Sequence, residues 1–224
     1  MNALPSNRRF SPTTTAFSLV ELLVVTAVIG LLAGLLMPVL ARSVDRAEAV
    51  SCVGNLRQWS LATGLYALDS AGFLPWDGAP NGISTTRAWY SDLPPLLGMK
   101  GYHEEGAWRT NARAPLGNPL WFCPSNPRRS NGNLLFHYCL NRELNGSGDH
   151  TVQTRLEEVA EPARTVWLFD NGGRAASAGR GNLHTHPHAG GANVLFIDGS
   201  VRRVAAVAKG SSAGSSPADL VWRP

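Results

Sequence analysis

The chain is poor in charge: Asp, Glu, Lys and Arg make up 16% of its 224 residues, against roughly 25% in an average soluble domain. Lysine is nearly missing, since 18 of the 20 basic residues are arginine. The formal net charge is only +4 and the basic residues are dispersed, which disfavours nucleic acid as a partner. No G-x-S-x-G, no H-E-x-x-H and no phosphate-cradling glycine loop occurs, so the common hydrolase, zinc-protease and nucleotide signatures are missing. That argues against an enzyme, and the sequence calls for no cofactor. Cysteine is limited to Cys52, Cys123 and Cys139, too few for a disulfide-built scaffold. Disorder is excluded by a hydrophobic share of 44%. Gly 23 and Pro 15 together make about one residue in six, the mark of a turn-rich body without low complexity.

What the sequence does contain is one long apolar run. Leu22 to Ala41 is 20 residues without a charge, and at about 1.5 Å per residue such a helix spans the roughly 30 Å of a bilayer core. A secretory signal has a shorter apolar part followed by a cleavage site, whereas this run continues into charged helix. Arg8 and Arg9 precede it and no acid precedes Glu21, so the positive-inside rule places the N-terminus in the cytoplasm and the body outside. Glu21 breaks the pattern, because Phe17-Ser18-Leu19-Val20 before it are lipid-compatible. A carboxylate within an apolar span costs up to about 2.5–3.5 kcal/mol and calls for a partner.

The stretch Ala16-Phe17-Ser18-Leu19-Val20-Glu21-Leu22-Leu23-Val24-Val25 resembles the processing and methylation signal of type IV prepilins and type II secretion pseudopilins. The resemblance implies a prepilin peptidase that cuts between Ala16 and Phe17 on the cytoplasmic face and N-methylates Phe17; Ala16 departs from the family's usual Gly. It gives Glu21 the Phe17 ammonium, of the same or a neighbouring chain, as its partner. Pro38 falls where many pilin helices kink, and Gly30 and Gly34 form a G-x-x-x-G pair that lets helices approach closely. Asn182 to Arg202 contains His188, nine residues, and then Asp198-Gly199, similar to the H-X9-DG element of a group of prepilin-like proteins. Around Cys52, Phe122-Cys123-Pro124-Ser125, Tyr138-Cys139-Leu140-Asn141 and Glu161 to Asp170 the chain resembles other segments of that group.

Beyond Arg42 the helix is expected to continue, since Ala49, Cys52, Leu56, Trp59, Thr63 and Tyr66 form one stripe, and Gly72 and Pro75 end it. From Phe17 to about Ser70 it would be roughly 80 Å long. Residues 71–132 read as irregular. Strands are expected at Asn133–Leu140, Thr165–Phe169, Ala192–Ile197 and Val201–Val207, the last two joined by a tight turn at Asp198-Gly199, where both residues tolerate positive φ. The organisation is therefore a leader (1–16), a transmembrane helix half (17–41), an exoplasmic amphipathic half (42–70), a globular head (71–209) and a flexible tail (210–224), in which Leu220-Val221-Trp222 is a docking strand. The fold class is α+β: a pilin-like lollipop whose long N-terminal helix packs on a small antiparallel sheet.

His184, His186 and His188 alternate and would share one face of a strand, as metal ligands could. Pro187 and Gly190-Gly191 make a regular strand doubtful, so the favoured reading is a loop with a structural His188 held near the hairpin. Of the three bridges that three cysteines permit, Cys123 with Cys139 closes the shortest loop. All three staying reduced and buried is the other outcome.

The expected function is a pseudopilin-like structural subunit, single-pass in a bacterial inner membrane with a periplasmic head. Its partners would be prepilin peptidase, other pilin-like subunits, the inner-membrane assembly platform and membrane lipid. The alternative is an anchored exoplasmic binding module that never polymerises.

Overall fold

A computed structural model describes residues 18–145, 152–183, 188, 190–205 and 219–223. The expected cleavage residues Ala16 and Phe17, and His184 and His186, lie outside these. The chain divides into two compact units, Met1–Val44 and Asp45–Pro224, and one helix, α1 (Leu19–Asp69, 51 residues), contributes to both.

In the first unit every described side chain is exposed, including Leu23, Ile29, Leu35 and Val39. The helix is long and apolar enough there to cross a membrane by length and composition. It begins on Ser18-Leu19-Val20-Glu21, where Glu21 reaches back to accept the Ser18 backbone N–H at 2.8 Å, one half of a capping box. α1 runs on through Pro38.

In the second unit α1 buries Cys52, Asn55, Leu56, Trp59, Ala62, Thr63 and Ala67, which includes the middle of the stripe expected from the spacing, while its ends Ala49 and Tyr66 are half-buried. It stops at Asp69 because Ala71 and Gly72 turn to positive φ, and the Gly72 N–H caps the Ala67 carbonyl at 2.8 Å. Residues 71–136 form short turns of 3₁₀ helix and α2 (Trp89–Asp92). Their aromatic side chains fill the space beside α1: Trp59, Trp89 and Trp121 lie with ring centroids 4.9–6.0 Å apart, and Tyr102 stacks on Phe136 at 4.1 Å. Such contacts add to the burial of apolar area.

The sheet consists of β1 (Tyr138–Asn141), β2 (Val166–Asp170), β3 (Ser177–Ala178), β4 (Gly191–Phe196) and β5 (Val201–Ala205) in the order β3-β1-β2-β4-β5. It is mixed rather than antiparallel throughout, because the short β3 runs parallel to β1. The first strand is shorter than expected, since the Asn133–His137 stretch leaves the ladder. Alternation along β1 sends Tyr138 and Leu140 into the core under α1 and Cys139 into a second core on the opposite face. In β2 the register slips between Val166 and Leu168, so Trp167 and Leu168 both enter the α1 core. The Trp167 indole N–H donates to the Thr63 hydroxyl at 2.9 Å.

The second core holds Val166, Phe169, Val194 and Phe196 and is covered by Leu220 and Trp222. Val221 adds a bridge beside Thr165, with N–H···O bonds of 2.9 Å to Arg164 and Val166. Leu220–Trp222 thus docks through a single bridge at Val221 and not as a strand, with Leu220 and Trp222 buried and Asp219 and Arg223 exposed.

Candidate functional site

The β4–β5 hairpin explains the spacing between His188 and Asp198-Gly199. β4 is six residues long, about 20 Å, so the histidine lies before its start and the turn after its end. His188 therefore meets the hairpin at its open end and not at the turn: its carbonyl accepts the Arg203 guanidinium of β5. At the other end only Gly199 has positive φ (+85°). Its N–H bonds the Phe196 carbonyl at 3.0 Å, and the Phe196 N–H bonds the Ser200 carbonyl at 2.9 Å. This is a three-residue loop with a bulge at the glycine, in place of a two-residue turn with both residues left-handed. Asp198 takes the acceptor role, its Oδ1 receiving the Ser200 N–H at 2.9 Å and hydroxyl at 2.6 Å.

His188 is buried and its side chain points into the sheet. Its Nε2 lies 3.0 Å from Asp170 Oδ2 at the end of β2 and 3.3 Å from Cys123 Sγ. Asp170 Oδ2 also accepts the Asn193 N–H at 2.6 Å, which ties β2 to β4 at this point. Burial raises the Asp170 pKa, against the lowering effect of His188 and the Asn193 N–H. Because both Asp170 and Cys123 approach the same imidazole nitrogen, the three side chains do not form a nucleophile–base–acid relay, which needs the carboxylate on the other ring nitrogen.

Cys123 is bonded to Cys52 of α1, with their Cα atoms 4.9 Å apart, and the expected Cys123–Cys139 bridge is corrected. The reason is the pleat: Cys139 sits in the core on the far side of the sheet from Cys52 and Cys123. It remains a buried free thiol, its pKa raised well above the ordinary value by burial. The bridge is reinforced by Asn55, one turn along α1, whose amide donates to the carbonyls of Pro119 at 3.0 Å and Phe122 at 2.7 Å. On the other side of Cys123 its N–H donates to His137 Nδ1 at 3.2 Å, so Nε2 carries the proton and bonds the Arg128 carbonyl at 3.2 Å. Burial chiefly lowers the His137 pKa to about 4, keeping it neutral.

Thus Cys52, Cys123 and His188 converge, all buried, with ligand-type atoms within 4.8 Å of one another. A cleft of about 430 Å³ lined by Asp45, Arg46, Glu48, Ser125, His188 and Arg203 opens onto the histidine. Spacing singles out His188 and, in the buried stripe of α1, Cys52; Asp170, Asn55 and His137 reach the site from β2, α1 and the segment before β1 with no such signal of their own. Compared with known proteins, the chain matches no family profile, no curated protein and no solved structure.

Proposed function

We propose that the protein is a prepilin-like, non-enzymatic structural subunit. It is cleaved after Ala16, N-methylated on Phe17, held in a bacterial inner membrane by the apolar part of α1, and assembled with like subunits into a pseudopilus or pilus-like fibre. The observation that carries the reading is the placement of Glu21: an acid in the first turn of a helix whose following 20 residues are uncharged, within the segment that resembles the prepilin signal. An anchor alone needs no acid there, because the apolar run inserts without it. The helix that follows is continuous to Asp69, as one element serving both anchor and head would be. The head would be periplasmic, with prepilin peptidase and an assembly platform as further partners.

A second reading has its own support. Glu21 already accepts the Ser18 N–H, a capping role that needs no neighbouring chain, as an anchored binding module would have. The Glu21→Ala variant separates the two. In a fibre, loss of the carboxylate leaves the Phe17 ammonium of an adjacent subunit unpaired, so crosslinking between subunits and fibre yield should fall sharply. Membrane content and processing at Phe17 should persist. Equal crosslinking in mutant and wild type would leave the capping role, and with it the anchored module.

A further inference from the structure

We infer that Cys52, Cys123 and His188 form a zinc site when the Cys52–Cys123 bridge is reduced, with the Asp170 carboxylate turning in as fourth ligand, so that the disulfide and the metal are alternative occupants of one position. The donor set is two sulfurs, one imidazole and one carboxylate, a combination suited to tetrahedral Zn²⁺. With Zn–S near 2.3 Å and Zn–N near 2.0–2.1 Å, a tetrahedral ion requires an S···N edge of about 3.6 Å and an S···S edge of about 3.8 Å. Cys123 Sγ and His188 Nε2 are 3.3 Å apart, close to the first of these. The second is near the distance to which two unbonded sulfurs must part, since van der Waals contact sets in at about 3.5–4.0 Å. Cys52 Sγ lies within 4.8 Å of both other ligand atoms.

Asp170 is the nearest source of a fourth ligand, but it is not among the residues whose ligand atoms lie within 4.8 Å of one another, so its carboxylate must turn toward the sulfurs to complete the tetrahedron. Its Oδ2 is 3.0 Å from His188 Nε2, where a metal-bound nitrogen and oxygen would be about 3.4 Å apart. Its Oδ1 is buried with no hydrogen-bond partner among the described residues, an acceptor atom that a cation satisfies. The cleft that reaches His188 provides the entry path. The chemistry balances: a dithiol reductant gives two electrons and two protons to the bridge, which becomes two thiols while the reductant becomes a disulfide. Binding of Zn²⁺ then releases the two thiol protons.

The test uses the full chain in detergent, prepared without a histidine tag, oxidised or reduced with a phosphine that offers no thiol to the metal. Co²⁺ serves as the spectroscopic probe and Zn²⁺ as the competitor. The reduced chain should take up one equivalent of Co²⁺ with thiolate-to-cobalt absorption, and Zn²⁺ should displace it; the oxidised chain should take up none. Cys52→Ser should abolish uptake, His188→Ala should weaken it at least tenfold, and Cys139→Ser should leave it unchanged. Tryptophan fluorescence monitors folding throughout, and the oxidised His188→Ala chain serves as a variant that keeps its bridge. Uptake by the oxidised chain, undiminished uptake in Cys52→Ser, or no uptake by a folded reduced chain would overturn the inference. So would unfolding on reduction with zinc present.

Discussion

Breaking the Cys52–Cys123 bridge should be the most costly single perturbation of the second unit. The two cysteines are 71 residues apart in sequence, and the chain-entropy relation for a closed loop of that length gives about 4.4 kcal/mol at 25 °C. Domains are stable by only about 5–15 kcal/mol, so between a third and nearly all of the total is at stake. For a unit of this size each kcal/mol moves the melting temperature by about 2–4 °C, so reduction should lower it by about 9–18 °C. The readout is selective, because all seven tryptophans lie beyond Asp45: their fluorescence follows the second unit while the apolar helix stays in detergent. Oxidised and phosphine-reduced chains would be melted in the presence of a chelator, with Cys52→Ala/Cys123→Ala as the genetic counterpart. Cys139→Ala, which removes a buried thiol but no bridge, should fall well short of this loss. A reduced chain that melts within 2 °C of the oxidised one, or a Cys139→Ala chain that loses as much, would refute the pairing and the reasoning from loop length.

Asn55→Ala should cost about 1–3 kcal/mol in urea titrations, because two hydrogen bonds of about 0.5–1.5 kcal/mol each are lost, leaving the Pro119 carbonyl only the Phe122 N–H and the Phe122 carbonyl only the Tyr138 hydroxyl; a loss below 0.5 kcal/mol, on the order of a neutral surface change, would show that water replaces the amide. His137 should make stability fall with acidification. Its folded pKa of about 4 lies below the ordinary 6.5, so the unfolded chain binds the proton first. Stability is then lost between about pH 6.5 and 4, by roughly 3 kcal/mol in all. His137→Gln should flatten that part of the profile, and an unchanged profile would move the effect to other groups. Gly199→Ala should cost about 1–2 kcal/mol in thermal melts, since φ is +85° there and a Cβ would come 3.0 Å from Ser60 Oγ; a variant as stable as the parent would show that the loop relaxes.

Local patterns were the legible part. The stripe from Cys52 to Thr63, the β4–β5 hairpin and the edge residues Leu220–Trp222 all follow from spacing and turn chemistry, which act within a few residues. The mixed sheet was not legible, because β3 has two residues and is made by its hydrogen bonds to β1 rather than by any pattern of its own. The disulfide is not legible in the sequence for a physical reason: loop length favours Cys123 with Cys139, but the pleat of β1 turns Cys139 into the core opposite the one that holds Cys52 and Cys123. Whether Cys139 or its neighbours face α1 depends on strand partners far along the chain. Asn55 and Asp170 are polar residues in apolar surroundings, and their use became visible only once the Phe122 carbonyl and the His188 ring stood beside them. The resemblance to a prepilin signal is the converse case, carried by residues 16–25 alone and independent of the head.

The most direct test of the central claim is therefore at the N-terminus. Intact-mass and N-terminal analysis of the chain recovered from the membrane of a host containing prepilin peptidase should find residues 1–16 absent, Phe17 first, and one methyl group on its amine. A chain that still begins at Met1, or one cut beyond Ala41, would contradict the account.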